Sequence, residues 1–269
     1  TIRDTVSYAG DIPGWTIYFR PGVRISNHDR LITYFDFLVP LYFTDKSVLF
    51  FNPKANFDNN DNVEWNVGMG YRHLLAGDRL ILGGNLFYDG RKSYTGNDFH
   101  QIGVGAEVLT EWVNARVNGY ISLSDAKESG RWREYYFGST SLNYSLAYGL
   151  EEPMSGLDYE VGFKVPGLSN YVETWVYAGG YNYFSDYTDD MAGWSTRVEV
   201  IPTDFVKLNF SVRDDNLRDT EYAGEVTLEL PFSIDNLIAG NDPFEGIGDV
   251  FKGSRTMKER LYEQVRRDV

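Results

Sequence analysis

The sequence predicts an all-β fold, a closed antiparallel transmembrane β-barrel of about 12 strands with a short C-terminal helix and linker. Apolar and polar residues alternate with period two over most of the chain. The connections between the alternating stretches are short and long in turn. Aromatic residues make up 16% of the chain, yet no stretch reaches the roughly 18 apolar residues of a membrane-spanning helix. A membrane barrel explains all three observations, because every second side chain faces lipid and the others face a polar lumen.

The alternation locates the individual strands. It is clearest at 221–232, where Val226 and Leu228 fall on one face and Glu225 and Glu229 on the other. A strand needs about 9–11 residues to cross a membrane, so the barrel region accommodates twelve strands with their connections. The predicted strands lie near 15–26, 30–43, 46–57, 62–74, 79–89, 98–109, 112–124, 149–165, 171–184, 192–201, 204–213 and 220–232.

The connections form a second, independent pattern. Short turns such as 44–45 and 202–203 follow the even-numbered strands, whereas longer loops, of which 125–148 is the longest, follow the odd-numbered ones. The first connection, 27–29, is short and breaks this rule. Outer-membrane barrels have short periplasmic turns and longer external loops. We therefore expect this chain in the outer membrane of a Gram-negative-type bacterium, with both termini initially periplasmic.

The barrel prediction divides the chain into three parts. Residues 1–14 are expected to form a periplasmic lead-in, residues 15–232 the barrel, and residues 233–269 a C-terminal linker with a short helix. No signal peptide is visible at the start of the sequence, so an exported barrel would have lost it by cleavage.

The C-terminal part does not have the pattern of a barrel strand. The stretch 236–248 is rich in Gly and Asp, which is typical of a loop. A Thr-x-x-Glu capping box then begins at Thr256, and apolar residues recur at every fourth position from Met257 to Val265. This spacing predicts a short amphipathic helix that ends near Arg267.

A soluble β-sandwich or soluble barrel is the main alternative, because it also alternates but turns its apolar face inward. Two features favour the membrane barrel: aromatic residues near the strand ends, as in interfacial girdles, and charges of both signs on the opposite faces. The predicted lipid-facing or girdle residues are Trp15, Trp65, Tyr71, Tyr88, Trp194 and Phe232. The predicted lumen-facing residues are Arg20, Arg24, Asp36, Lys54, Glu64, Arg72, Glu107, Arg116, Lys164, Arg197, Glu199, Lys207, Glu225 and Glu229.

The composition argues against several function classes. With 25 basic and 39 acidic side chains the net charge is −14, whereas nucleic-acid binding needs a positive surface. The chain has no cysteine and three histidines, which argues against disulfides, thiolate chemistry and a His-rich metal centre. His73 is predicted outward with no Ser beside it, and Ser93, the serine nearest to His100 in sequence, lies in a loop. We predict no catalytic residues, no metal site and no cofactor.

Two features leave alternatives open. The acidic loops 58–61, 189–190 and 214–215 offer oxygen ligands for calcium, but they match no complete calcium-binding loop, and solvated loops are the simpler interpretation. Glycines inside strands, among them Gly68, Gly83 and Gly103, either leave space for a threaded segment or relieve barrel curvature.

Several segments resemble a known family. They are similar in order and spacing to the translocator barrel of the inverse autotransporters, the intimin/invasin family, over roughly residues 45–269. The stretch 135–150 is longer and more aromatic than the family pattern. The matching segments are 68–73, 83–89, 99–107, 117–120, 123–124, 156–162 with Pro166, 261–262 and 265–267.

The resemblance implies a twelve-stranded outer-membrane barrel whose chain turns back through the pore and carries a C-terminal passenger to the surface. The expected partners are membrane lipid, the barrel-assembly machinery and the chain's own passenger or subunits of an envelope complex. We therefore expect a barrel that anchors and exports or displays a C-terminal segment and is not an enzyme. The alternative is a passenger-less pore, or a structural barrel subunit of an envelope complex.

Overall fold

A computed structural model of the protein describes residues 15–137, 142–168, 171–187, 189–244 and 254–267. The predicted lead-in 1–14 therefore lies outside the described residues. The strands and helices are β1 Thr16–Ser26, β2 Leu31–Phe43, β3 Ser47–Asp58, β4 Val63–Leu75, β5 Leu80–Lys92, β6 Asp98–Thr110, β7 Val113–Ser122, β8 Lys127–Phe137, β9 Leu142–Glu151, β10 Ser155–Lys164, β11 Glu173–Phe184, β12 Met191–Thr203, β13 Val206–Asp215, β14 Glu221–Leu228, β15 Leu230–Ser233, α1 Ile234–Ala239 and α2 Met257–Arg260.

Twelve antiparallel wall strands close into a barrel, as predicted. Eleven of them are β1–β7 and β10–β13, and the twelfth consists of β14 and β15 in succession. Both β14 and β15 pair with β1, so that Val23 lies opposite Val226 and Ile17 opposite Phe232. A closed ladder leaves no sheet edge, which satisfies the backbone hydrogen bonds where water is absent.

The long loop predicted at 125–148 contains regular structure. Strands β8 and β9 pair with each other in a separate hairpin, while β7 pairs directly with β10, with Gly119 opposite Leu157. The predicted strand 149–165 is therefore wrong at its start, because β10 begins at Ser155 and the preceding residues through Glu151 belong to β9. The sequence of this hairpin is rich in Tyr, Phe and Trp, which favour strands whether or not they belong to a barrel wall.

The two barrel faces differ as the alternation predicts. In β4 the outward Val67 and Met69 are exposed, whereas Asn66 and Arg72 on the opposite, lumen-facing side of the strand are buried. Among the described residues, no helix has both the length and the apolar character needed to cross a bilayer.

The barrel has two distinct ends. We call one the short-turn end, because four of its connections, 44–46, 76–79, 111–112 and 204–205, are tight, although the connection 165–172 at the same end is longer. We call the other the long-loop end, because it carries the longer connections 93–97, 123–154 and 216–220.

A helix forms where the sequence analysis predicts a loop. Helix α1 occupies the start of the stretch 236–248, immediately after the last strand. The backbone N–H of Asn236 donates to the Ser233 hydroxyl at the N-terminus, and Gly240 ends the helix with a φ of 76°, in the left-handed region that glycine favours. The Ser-x-x-Asn pattern and the following glycine are the local signals for this helix.

Candidate functional site in the barrel lumen

Residues 254–267, which we call the tail, lie inside the barrel. Its helix α2 begins with the predicted capping box: the Glu259 N–H donates to the Thr256 hydroxyl at 3.3 Å, and the Thr256 N–H donates to Glu259 Oε2 at 2.6 Å. The helix ends at Arg260. The prediction that it continues to about Arg267 is therefore wrong.

The backbone tightens directly after the helix, because the N–H groups of Leu261 and Tyr262 donate to carbonyls three residues back, at Lys258 and Glu259. Beyond that point lumen arginines bind the tail carbonyls. Arg72 Nη1 donates to the carbonyl of Leu261 at 3.0 Å and also to the carbonyl of Glu263, and Arg20 donates to the carbonyl of Tyr262. These carbonyls are the acceptors that later turns of a helix would need. The barrel wall thus replaces helical hydrogen bonds with its own.

An apolar cluster surrounds the middle of the tail toward the short-turn end. Leu261 and Tyr262 are buried there, and Tyr262 stacks on Tyr18 with ring centroids 5.4 Å apart. Met257 and Val265, which the helical spacing marks as apolar positions, pack against the same cluster without forming one long helix. The barrel residues of this cluster are Leu38, Val48, Phe50, Leu74, Ile81 and Leu109.

A buried ion network lies beside this cluster. Glu263 accepts hydrogen bonds from Arg116 Nη2 at 2.6 Å and from Arg260 Nε at 3.0 Å. Arg116 also pairs with Glu107, which in turn accepts a hydrogen bond from Arg72 at 2.5 Å. Each of these side chains is at most 5% exposed. Charges removed from water to this extent are tolerable because every one has opposite-charge partners.

Other contacts fix the direction of the tail. Near the short-turn end, Arg255 pairs with Glu173 at the start of β11 at 2.9 Å, and Arg260 donates to the carbonyl of Thr110. Near the long-loop end, Arg266 pairs with Glu225 at 3.3 Å. The tail therefore runs through the lumen from the short-turn end to the long-loop end.

Comparison with known proteins identifies the family of this barrel. The family model described as inverse autotransporter, beta-domain, matches residues 21–268. The chain belongs to the inverse autotransporter beta-domain family. The resemblance to intimin and invasin is thereby confirmed, and the fold is that of an outer-membrane β-barrel. The family and fold are those of translocator barrels rather than of enzymes.

Individual members of the intimin/invasin group show partial similarity to this family barrel. The attaching and effacing protein homolog of Escherichia coli (strain K12) is 28% identical over 160 residues, covering 59% of this chain and 45% of that protein. The invasin of Yersinia enterocolitica is 29% identical over 133 residues, covering 49% of this chain and 14% of that protein. The intimin of Citrobacter freundii is 31% identical over 100 residues, covering 37% of this chain and 10% of that protein. The matched regions span less than half the length of each relative.

A solved structure supports the fold alone. It is described as "Unveiling the Mechanism Behind the in-meso Crystallization of Membrane Proteins" and is similar with a TM-score of 0.67 at 19% identity. The similarity covers 93% of this chain and 96% of that chain.

The structure places the predicted wall residues as follows. Of the predicted girdle residues, five are exposed, and Phe232 is partly covered by Phe244, whose ring lies edge-on at 5.5 Å. Among the predicted lumen residues, the partly exposed ones are Arg24, Lys54, Arg197, Glu225 and Glu229. The buried ones are Arg20, Asp36, Glu64, Arg72, Glu107, Arg116, Lys164, Glu199 and Lys207.

Several lumen residues that contact the tail were not among the predicted ones. Asp89 pairs with Arg267, Asn118 donates to the carbonyl of Arg266, and the Trp175 ring lies beneath Arg260. Asp89 and Asn118 occupy lumen-facing positions of the alternation, so the pattern itself could have indicated them. Asn118 carries no charge, and Asp89 is the last residue of the predicted strand 79–89.

The prediction that no serine lies beside His73 is wrong. Strands β3 and β4 place Ser47 opposite His73, and the Ser47 hydroxyl oxygen lies 2.6 Å from His73 Nδ1. Ser47 is 6% exposed and also accepts a hydrogen bond from Tyr71. Within the described residues no carboxylate hydrogen-bonds to His73, so the pair lacks the group that orients a catalytic histidine. The hydrogen bond between Ser47 and His73 links the start of β3 to the end of β4.

The acidic loop and the strand glycines have local roles. Asp58 accepts hydrogen bonds from the backbone of Asn60 and Asn62 and pairs with Arg30, so its oxygens organise the loop. Across the described parts of the chain, no cluster of three or more His, Asp or Glu side chains is arranged to hold a metal ion. Gly103 makes room for the tail, whereas Gly68 makes room for a ring of the wall itself.

Proposed function

We propose that this barrel anchors and exports or displays the chain that follows its tail at the cell surface. The observation that carries the proposal is the course of the tail, which passes from the short-turn end to the long-loop end. We assign the short-turn end to the periplasm, following the asymmetry of outer-membrane barrels. The chain then leaves β15 at the periplasmic end, turns back, and ascends through the lumen toward the outside.

The lumen chemistry suits a polypeptide. Guanidinium groups of Arg20 and Arg72 donate to backbone carbonyls of the tail, which is recognition that does not depend on side-chain identity. Carboxylates such as Glu173 and Glu225 pair with tail arginines. A moving chain would therefore always meet donors and acceptors that replace its lost hydration. In the same proposal, lipid covers the outer wall and the barrel-assembly machinery inserts it.

The test uses an epitope fused after Val269 of the complete chain. Intact cells producing this protein should bind an antibody against the epitope, and external protease should remove it. The same epitope inserted in the turn 76–79 should be inaccessible, whereas an epitope in the loop 216–220 should be accessible. An inaccessible C-terminal epitope beside an accessible loop epitope would refute display.

The alternative of a pore without a passenger predicts a different outcome. A pore would show steady conductance of the complete chain in planar bilayers, and its C-terminal epitope would stay periplasmic. We expect low conductance, because the tail side chains around Glu263 are buried against the wall from several sides.

A further inference from the structure

The last described tail residue, Arg267, occupies a site of its own near the long-loop end. Its guanidinium makes two parallel hydrogen bonds to Asp89, from Nη1 to Oδ1 at 2.9 Å and from Nη2 to Oδ2 at 2.6 Å. The two side chains are 6% and 5% exposed. A bidentate pair between buried groups has one geometry, so it selects an arginine at one position rather than basic charge in general.

Wall residues shape this site around the guanidinium. The Phe87 ring centroid lies 4.2 Å from its central carbon, and the Tyr120 ring centroid lies 5.4 Å away. At Gly103, a Cβ atom would overlap Nη2 of Arg267, so any side chain there would displace the guanidinium. Asn66 Nδ2 donates to Asp89 Oδ1 at 2.8 Å and orients the carboxylate. The two aromatic rings, the Asp89 carboxylate and the space left by the missing side chain of Gly103 together accommodate a planar cation.

The adjacent tail arginine, Arg266, lies in a different and more exposed environment. Arg266 pairs with Glu225 at 3.3 Å and with Glu199 at 3.7 Å, and its side chain is 20% exposed. Beyond both arginines a cavity of about 1020 Å³ opens toward the long loops, with Arg266 and Arg267 in its lining. The tail thus leaves its close contacts with the barrel wall and enters this cavity at the Asp89 site.

We propose that Asp89, Phe87, Gly103 and Tyr120 form a guanidinium receptor that sets where the exported chain stops. The receptor rests on the proposed export function, and it deepens that function by naming the residue that is recognised. Seating of Arg267 fixes the register of the tail. A lysine at position 267 keeps the charge but has neither the fork nor the planar face that the receptor reads.

The test measures tail register in the complete, refolded chain. The protein has no cysteine, so Asp36→Cys with Gln264→Cys provides a single pair at a contact where Gln264 donates to Asp36 at 2.9 Å. A short thiol-to-thiol reagent then crosslinks the pair when the tail is in register. In this background, Arg267→Lys and Gly103→Ala should each slow crosslinking about tenfold, because each removes the bidentate contact.

Two matched substitutions serve as controls. Arg218→Lys alters an arginine that also makes two hydrogen bonds to an aspartate, Asp215, but on an exposed loop. Gly84→Ala adds a Cβ that meets only an ordinary contact at 3.6 Å. Both should crosslink at the parental rate. Only molecules that migrate as folded barrels in a gel-shift assay are compared, which separates register from folding.

The outcomes separate the receptor from the export function. Parental crosslinking rates in both Arg267→Lys and Gly103→Ala overturn the receptor, whatever the epitope experiment shows. Slowed crosslinking in both variants, with controls unchanged, supports it. If the C-terminal epitope of the parent is inaccessible while crosslinking still depends on Arg267, export fails and the guanidinium site stands as a lock on a closed lumen.

Discussion

The tail meets two different environments within one lumen. Toward the short-turn end, Leu261 and Tyr262 are buried in an apolar cluster and Glu263 in a dense ion network. Toward the long-loop end, Arg266 and Arg267 depend on ion pairs beside a cavity of about 1020 Å³. Apolar burial stabilises without direction, whereas a guanidinium–carboxylate pair fixes position. The first environment therefore both buries the tail and fixes its position, whereas the second has no apolar cluster of this kind among the described residues and fixes the tail through its arginines.

The largest loss of stability is expected from Glu263→Ala. This carboxylate is 4% exposed and accepts hydrogen bonds from Arg116 and Arg260, so its removal takes a charged partner from two buried guanidinium groups. We expect the free energy of unfolding, measured by urea titration in lipid vesicles, to fall by about 4 kcal/mol. The exposed Asp45→Ala, at a short turn, should change it by less than about 0.5 kcal/mol. A fall of that small size for Glu263→Ala would contradict the importance of the network.

A smaller loss is expected from Leu261→Ala in the apolar cluster. The side chain is 3% exposed, and its truncation leaves a cavity among barrel residues that cannot all collapse onto it. The free energy of unfolding should fall by about 3 kcal/mol in the same titration. Leu237→Ala is the matched control, because that leucine is 51% exposed on α1. Equal effects of the two substitutions would show that the cluster does not hold the tail.

Alternation in the sequence predicts the wall of the lumen but not its contacts with the tail. Alternation assigns a face to every residue of a regular strand, so it separates Val67 from Asn66 without knowledge of any partner. It carries no information about which lumen residues meet across the pore. The pairing of Arg267 with Asp89 depends on barrel closure and on the path of the tail, and neither is a local property of the sequence.

Local sequence patterns overestimate helix length where side chains of the barrel wall bind the backbone carbonyls of the tail. The capping box at Thr256 is present as predicted, but Arg20 and Arg72 bind the carbonyls that would continue the helix. Conversely, the hairpin β8–β9 formed inside a predicted loop, because strand propensity persists outside the barrel wall.

The smallest effect is expected where the hairpin meets the loop 93–97 at the long-loop end. Glu151 accepts hydrogen bonds from Ser93 and Thr95, both at 2.8 Å, and from Asn97 at 3.0 Å. Burial raises the pKa of this carboxyl, but the three hydrogen bonds outweigh burial and hold its pKa below the ordinary value of 4.5. A lowered pKa in the folded state means that the ionised carboxyl stabilises docking above the ordinary pKa. That stabilisation is lost as the pH falls through the lowered value.

The hairpin should therefore stay docked at pH 7 and loosen only in acid, below about pH 4.5. Glu151→Gln removes the charge at every pH, so backbone amides of β8 and β9 should exchange with deuterium severalfold faster at pH 7, while the unfolding free energy of the barrel stays unchanged. Glu152→Gln is the matched control, because the Glu152 carboxylate accepts hydrogen bonds from the Ser185 hydroxyl and the Asp186 N–H and not from the loop 93–97. It should loosen the loop at 185–187 and leave the hairpin protected. Equal hairpin exchange in the parent and in Glu151→Gln would show that this carboxylate does not hold the hairpin on the loop 93–97.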